Sequence, residues 1–158
     1  MLPRTYESQV CSIARTLEVI GDRWTMLIIR NVFLGMRRFD DFQDSLGIAR
    51  NVLSDRLARL VDDGILERHP YQQRPERFEY RLTQKGIDLW PVLVSLMKWG
   101  DRHAPEQAGP PMLIVHRGCG GEIDERFVCL ECGEPVDARS AEARPGPGSA
   151  RSWPSAVL

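Results

Sequence analysis

The hydrophobic repeat of this chain changes period at Gly64 and changes back after Leu82. On either side, apolar residues recur every three to four positions, the spacing of helices with one buried face. In between, Ile65–Arg68 and Phe78–Leu82 read as short strands. Val10, Ile13, Ala14, Leu17 and Ile20 make the first stripe. Gly21 and Asp22 can end that helix and cap a second, which carries Trp24, Met26, Leu27, Ile28, Ile29, Val32 and Leu34, with Gly35 as its C-cap. A short helix over about Asp40–Ser45 turns Phe39, Phe42 and Leu46 inward, and Gly47-Ile48 makes a turn. A longer helix runs from Ala49 to Asp63, with Leu53, Leu57, Leu60 and Val61 as its core face. Pro70–Arg77 joins the strands, and Pro70 and Pro75 are expected to prevent further ladder pairing. Thr83 is placed to cap a final helix to about Trp99, in which Pro91 either makes a kink or sits where an i−4 bond is expendable. Four helices, two strands and a helix predict a mainly α fold with a small β wing (α+β), a winged helix-turn-helix.

Two short helices joined by a Gly-containing turn place the second one as a recognition helix for a DNA major groove. Opposite its leucines lie Arg50, Asn51, Ser54, Asp55 and, on one flank, Arg59. Arg and Asn suit bidentate reading of guanine and adenine edges, and Ser54 suits a base or a phosphate. Arg74 and Arg77, with Tyr71 and Gln73, would reach a phosphate or the adjacent minor groove from the wing. Arg37 and Arg38 are expected phosphate contacts, with Asp40, Asp41 and Asp44 on the outer side of the short helix, away from DNA. Residues 37–83 hold nine basic and nine acidic residues, so the same pattern also fits a protein-interaction module.

Charge bounds the function classes. The 158 residues carry a net charge of −1, which excludes a polybasic wrapper of nucleic acid. Residues 1–104 hold 16 basic and 14 acidic residues, against 5 and 8 in the remainder. Cationic contacts must therefore be positioned and not abundant. No apolar run approaches the ~18 residues of a bilayer span, and Met1–Val10 is too polar for a secretory signal, so a soluble, cytoplasmic protein is expected. P-loop, GxGxxG, HExxH and nucleophile-elbow motifs are absent, which disfavours a thiol or metal enzyme.

At about Ala104–Pro111 the composition turns Pro- and Gly-rich, and a linker is expected there. Residues 1–104 form the winged-helix and dimerisation domain in this reading, 105–136 a linker and small ribbon, and 137–158 a disordered tail. The ribbon repeats one device: His116-Arg-Gly-Cys119-Gly120, then Cys129-Leu-Glu-Cys132-Gly133. Each half sets two ligands three apart with a glycine behind them. Together they make a closed Cys3His set, the structural Zn2+ arrangement, with Ile123, Phe127 and Val128 forming a hairpin between the halves. A disulfide, a reduced thiol cluster and a remnant site remain as alternatives. His69 and His103 have no partner at ligand spacing and read as surface residues.

Between Ile87 and Trp99 only Asp88, Ser95 and Lys98 are polar, apart from Pro91, so this helix needs cover on more than one side. A second copy of the chain is the natural cover, and a homodimer would present two recognition helices to a pseudo-palindromic site. Trp24, Trp90 and Trp99 could line a small-molecule effector pocket near the dimer helices.

The run Cys11-Ser-Ile-Ala-Arg-Thr-Leu-Glu-Val-Ile-Gly-Asp-Arg-Trp24, then Arg38-Phe39, Gly47-Ile48, Leu53-Ser-Asp-Arg-Leu57, Asp63-Gly64 and Glu79-Tyr80-Arg-Leu-Thr83-x-x-Gly86 closely resemble the HxlR family of bacterial transcriptional regulators. That family is similar to the MarR regulators in its winged-helix architecture. The resemblance covers roughly residues 9–103 and implies a homodimeric DNA-binding regulator of operator DNA, with the recognition helix at 49–63 and the wing at 65–82. Ala49 stands where a capping Ser is common, which weakens the expected N-cap. Extended members of the family carry a tail comparable to the ribbon. Some members sense electrophiles or oxidants through a cysteine near the position of Cys11. Cys11 itself is either a small apolar filler or a sensor thiol activated by a helix N-terminus and Arg15.

Overall fold

The computed structural model describes residues 12–124 and 126–145. They fall into two units, one holding the chain to Val32 and Met36–Thr83, the other Phe33–Gly35 and the chain from Gln84. The first contains α1 (Ser12–Ile20), α2 (Thr25–Phe33), α3 (Phe39–Leu46), α4 (Arg50–Asp62), β1 (Leu66–Gln73) and β2 (Glu76–Leu82). This is the expected order, a mainly helical winged helix-turn-helix with a β-hairpin wing.

Leu53, Leu57 and Leu60 lie on one face of α4 and are all buried, together with Ile28, Ile29, Phe42 and Ile65. Each such side chain contributes roughly 1.5–3 kcal/mol by leaving water. Gly47 closes α3 by donating its N–H to the Gln43 carbonyl at 2.9 Å. Buried Asn31 ties α2 to α3 through a bond from Nδ2 to the Ser45 hydroxyl, 3.1 Å. Asp22 begins α2 as expected, its Oδ1 accepting the N–H groups of Trp24 and Thr25 at 2.9 and 3.1 Å.

The wing is longer than the prolines implied. β1 and β2 pair antiparallel from Leu66↔Leu82 to Gln73↔Glu76, and Pro70 itself stands opposite Phe78. A two-stranded ribbon has an open edge on each strand, where a missing N–H is tolerated. The register shifts between Pro70 and Gln72, a bulge that turns Tyr71 out of the ladder. At the base of the wing the Thr83 hydroxyl donates to the Gly64 carbonyl, 2.6 Å, which fastens the end of β2 to the end of α4.

The second unit contains α5 (Gln84–Ile87), α6 (Trp90–His103), β3 (Met112–His116) and β4 (Ala141–Pro145). The single final helix expected from Thr83 to Trp99 is thus two helices. Pro91 lies in the first turn of α6, where its absent N–H needs no partner. Trp90 and Val94 are buried, whereas Val92, Leu96 and Trp99 are 38%, 53% and 63% exposed along one side of α6.

β3 and β4 pair in antiparallel register from Met112↔Pro145 to His116↔Ala141. The expectation of disorder from Asp137 is therefore corrected for residues 137–145. Asp137 Oδ1 accepts the N–H groups of Arg139 and Ser140, making a local turn. Ala141 is buried behind it, and Pro145 falls on the last pair of the ladder. The boundary expected at Ala104–Pro111 lies inside this unit. Among the described residues no helix is long and apolar enough to cross a membrane.

Candidate nucleic-acid interface and metal centre

The exposed side of α4 carries Arg50, Asn51, Ser54, Asp55 and Arg59. Arg50, Asn51 and Ser54 form one wall of an open groove of about 930 Å³, and Tyr71, Pro75, Arg77, Phe78 and Tyr80 of the wing form the other. The fold thus brings Arg77 together with the exposed face of α4. Arg59 lies further along α4, outside the lining of this groove, and Arg74 is exposed at the wing tip.

Arg50 is restrained by its own neighbours. Its guanidinium carbon lies 4.8 Å from the centre of the Phe39 ring. Its Nη1 lies 4.0 Å from Asp40 Oδ1, and Arg77 Nη1 lies 3.9 Å from the other oxygen of the same carboxylate. Asp40 therefore faces the groove and not the outer side of the short helix. It sits in the first turn of α3, beside both Arg50 of α4 and Arg77 of the wing. Helix-face counting could not see it, because the wing that completes the groove is remote in sequence.

Arg37 and Arg38 part company. Arg37 is half-buried and donates to the carbonyls of Val32 and Met36 at 2.6 and 3.0 Å, at the end of α2. Burial, assisted by the nearby Arg81, lowers its pKa against a smaller opposing effect of Glu79. Its guanidinium is tied to the end of α2. Arg38 is exposed, lies 4.5 Å from the centre of the Tyr71 ring and pairs with Glu79 at 3.5 Å, outside the lining of the groove. Arg56 went unnoticed in the sequence, although its Nε reaches Asp22 Oδ1 at 3.2 Å.

The ribbon brings His116, Cys119, Cys129 and Cys132 together, with all four ligand atoms within 4.8 Å of one another. His116 Nδ1 lies 3.4 Å from Cys119 Sγ and 3.5 Å from Cys132 Sγ, and the sulfurs of Cys119 and Cys129 are 3.1 Å apart. Ligands about 2.0–2.3 Å from a tetrahedral zinc would stand roughly 3.5–3.8 Å apart, so the set fits that ion. A sulfur separation of 3.1 Å is too long for a disulfide bond.

The two halves share one backbone device. The N–H of Gly120 donates to the His116 carbonyl at 2.7 Å, and that of Gly133 to the Cys129 carbonyl at 2.9 Å. Both glycines have left-handed φ, +74° and +72°, which closes each ligand pair into a tight turn. Between the halves the isolated bridge Ile123↔Cys129 makes the expected hairpin. The thiols hold their protons unequally. The Cys132 N–H, followed by the Cys119 thiol and the Glu131 N–H, outweighs burial and pulls Cys129 down to about 6. Cys119, donating to Cys129, is pushed up to about 11. A thiolate is thus already favoured at the most buried of the four positions. All four ligands come from the chain, so the ion would act as a cross-link.

His69 pairs with Glu67 at 2.7 Å and His103 stacks against Trp99 at 5.0 Å, so neither joins the cluster. Trp90 and Trp99 line separate hollows of about 380 and 270 Å³, and Trp24 belongs to the other unit. Cys11 lies outside the described residues.

The HxlR-like helix-turn-helix family profile matches residues 19–108. The HTH-type transcriptional regulator Rv3095 of Mycobacterium tuberculosis is 48% identical over 137 residues, 87% of each chain. Among solved structures, that of PA1607 is 39% identical with a TM-score of 0.68, covering 83% of this chain and 92% of that one. The redox regulator HypR in its reduced form is 32% identical with a TM-score of 0.57, over 60% of this chain and 94% of that one. These are regulators and not enzymes. With the winged fold, the exposed face of α4 and the family match in agreement, the chain belongs to the HxlR family of helix-turn-helix transcriptional regulators.

Proposed function

We propose that the protein regulates transcription as a homodimer on a pseudo-palindromic operator, with α4 in the major groove and the wing on the flanking backbone or minor groove. The observation that carries this reading is the groove in which Arg50, Asn51 and Ser54 of α4 face Arg77 of the wing. Arg50 and Asn51 have the donor geometry for guanine and adenine edges. Ser54 and Arg59 extend the contact along α4, while Arg38, Arg74 and Arg77 supply phosphate contacts that make affinity salt-dependent. Arg37 supports the site from the end of α2 and takes no part in the contact. The dimer would cover the apolar side of α6 that exposes Val92, Leu96 and Trp99. Zn2+ held by His116, Cys119, Cys129 and Cys132 gives the ribbon its fold.

Likeness to HypR favours a redox input as well, through Cys11. Diamide would then release wild-type protein from its operator and leave Cys11→Ser bound. Equal responses of the two proteins remove Cys11 from the mechanism.

The test of the main reading is fluorescence anisotropy with a duplex from upstream of the protein's own gene and a shuffled duplex of equal composition. Wild type prefers the native duplex, and Arg50→Ala with Asn51→Ala abolishes the preference, each bidentate contact being worth ~1–3 kcal/mol. Retained preference in the double variant overturns the assignment of α4.

A further inference from the structure

We propose that Asp40 is a specificity-determining residue of the DNA-reading groove, holding Arg50 toward base edges and shielding Arg77 from indiscriminate phosphate contact. This rests on the DNA-binding reading above.

One carboxylate oxygen faces Arg50 Nη1 at 4.0 Å and the other faces Arg77 Nη1 at 3.9 Å. The two arginines belong to different elements, the first turn of α4 and strand β2. Asp40 is the group in the groove that lies beside both. Its side chain is 64% exposed, so these pairs are water-accessible and screened. They orient the guanidinium groups without locking them, and Phe39 stacked against Arg50 adds a second restraint.

The same charge treats the two kinds of DNA contact differently. Guanine O6 and N7 are neutral acceptors, and an arginine can reach them while its other nitrogens face a carboxylate. Cytosine N4–H can also donate to Asp40 directly. A phosphate brings a full negative charge against Asp40 and against Glu76, which lines the same groove. Binding that relies on backbone alone is weakened, and binding that reads bases is retained. The even balance of nine basic and nine acidic residues over 37–83 points the same way, since bulk attraction to DNA is small.

The test uses the full chain, a duplex it selects from a random library, and a shuffled duplex of the same composition. Dissociation constants are measured against salt for wild type, Asp40→Asn and Asp44→Asn. Asp44 is an exposed acid on the same helix outside the groove lining, so its variant makes the same charge change elsewhere. Asp40→Asn should bind the shuffled duplex about fivefold tighter at low salt. Its log–log salt slope should steepen by about 0.9, one additional phosphate. The selected duplex should be bound within about twofold of wild type, so the specificity ratio falls. Asp44→Asn should leave the ratio unchanged. An unchanged ratio in Asp40→Asn, or an equal fall in Asp44→Asn, overturns the assignment. A wild type that enriches no sequence overturns the DNA-reading role itself, and Asp40's with it.

Discussion

Arg56 Nε lies 3.2 Å from Asp22 Oδ1 without hydrogen-bond geometry, so the carboxylate that starts α2 is also the counter-charge of α4. Both side chains are largely screened from water, 22% and 29% exposed. Asp22 thus does two jobs, as a cap for the N–H groups of Trp24 and Thr25 and as the counter-charge of α4. Asp22→Ala should destabilise the winged unit by about 1–2 kcal/mol, the sum of a lost cap and a lost, partly screened ion pair. Urea denaturation followed by circular dichroism measures it, and a loss below about 0.5 kcal/mol would place the anchor elsewhere.

The same carboxylate sets a pH dependence. Burial pushes the Asp22 pKa up, but the Thr25 hydroxyl, the Trp24 N–H, Arg56 and the Thr25 N–H together hold it below the ordinary value of 3.8. A group whose folded pKa is depressed binds fewer protons in the folded state. Its stabilisation is complete above the ordinary value and is lost as pH falls through that value toward the lowered one. Urea midpoints measured from pH 6 to pH 3 should therefore fall more steeply for wild type than for Asp22→Asn. Parallel curves would remove Asp22 from the acid response.

Ala49 begins α4 with extended backbone, φ −62° and ψ 138°, and has no side-chain acceptor for the free N–H groups of the first turn. Ala49→Ser supplies one. The expected gain is about 0.5–1 kcal/mol, read as a higher urea midpoint with an unchanged slope. An unchanged midpoint would mean that these N–H groups are already satisfied.

The exposed face of α4 and the His-Cys cluster were legible because each follows a fixed short spacing. Leu53, Leu57 and Leu60 repeat on the helical period, and two x2 spacings with trailing glycines define the cluster. What escaped was long-range or masked by composition. Asp22 and Arg56 are 34 positions apart, and no local pattern pairs them. Asp40 faces Arg77 only because the wing folds back beside α3. Strand Ala141–Pro145 adjoins a Pro- and Gly-rich run, and its order comes from the partner strand β3 and not from its own propensity. Pro70 misled for a related reason, since proline's effect depends on which strand edge is paired.

Exposed Val92, Leu96 and Trp99 on α6 predict that association is driven by apolar burial. Leu96 lies between the other two along the helix and is 53% exposed. If α6 forms the proposed interface, Leu96→Arg would set a charge in it and should weaken the proposed homodimer by about 2 kcal/mol or more, roughly thirtyfold. Sedimentation equilibrium measures the shift toward monomer. A dimer constant equal to wild type would move the interface off this side of α6.

Phe127 would carry the state of the proposed metal site to the rest of its unit. It lies in the hairpin between the two ligand pairs, with a left-handed φ of 55°, and its ring centre is 5.5 Å from that of buried Trp90. Two paired strands of five residues are marginal without further support, whereas zinc contributes on the order of 10 kcal/mol to zinc-finger folding. Removing the ion from protein purified under reducing conditions should therefore loosen the hairpin and release Phe127 from Trp90. Phenanthroline should extract one zinc per chain, measured by mass spectrometry, and change tryptophan emission. The emission change should vanish in Trp90→Phe, while zinc content stays at one. Cys129→Ser should lose the metal outright, because Cys129 is the most buried ligand. Substoichiometric zinc in the wild type would remove the metal from the fold, and an emission change that survives Trp90→Phe would remove Phe127 as its carrier.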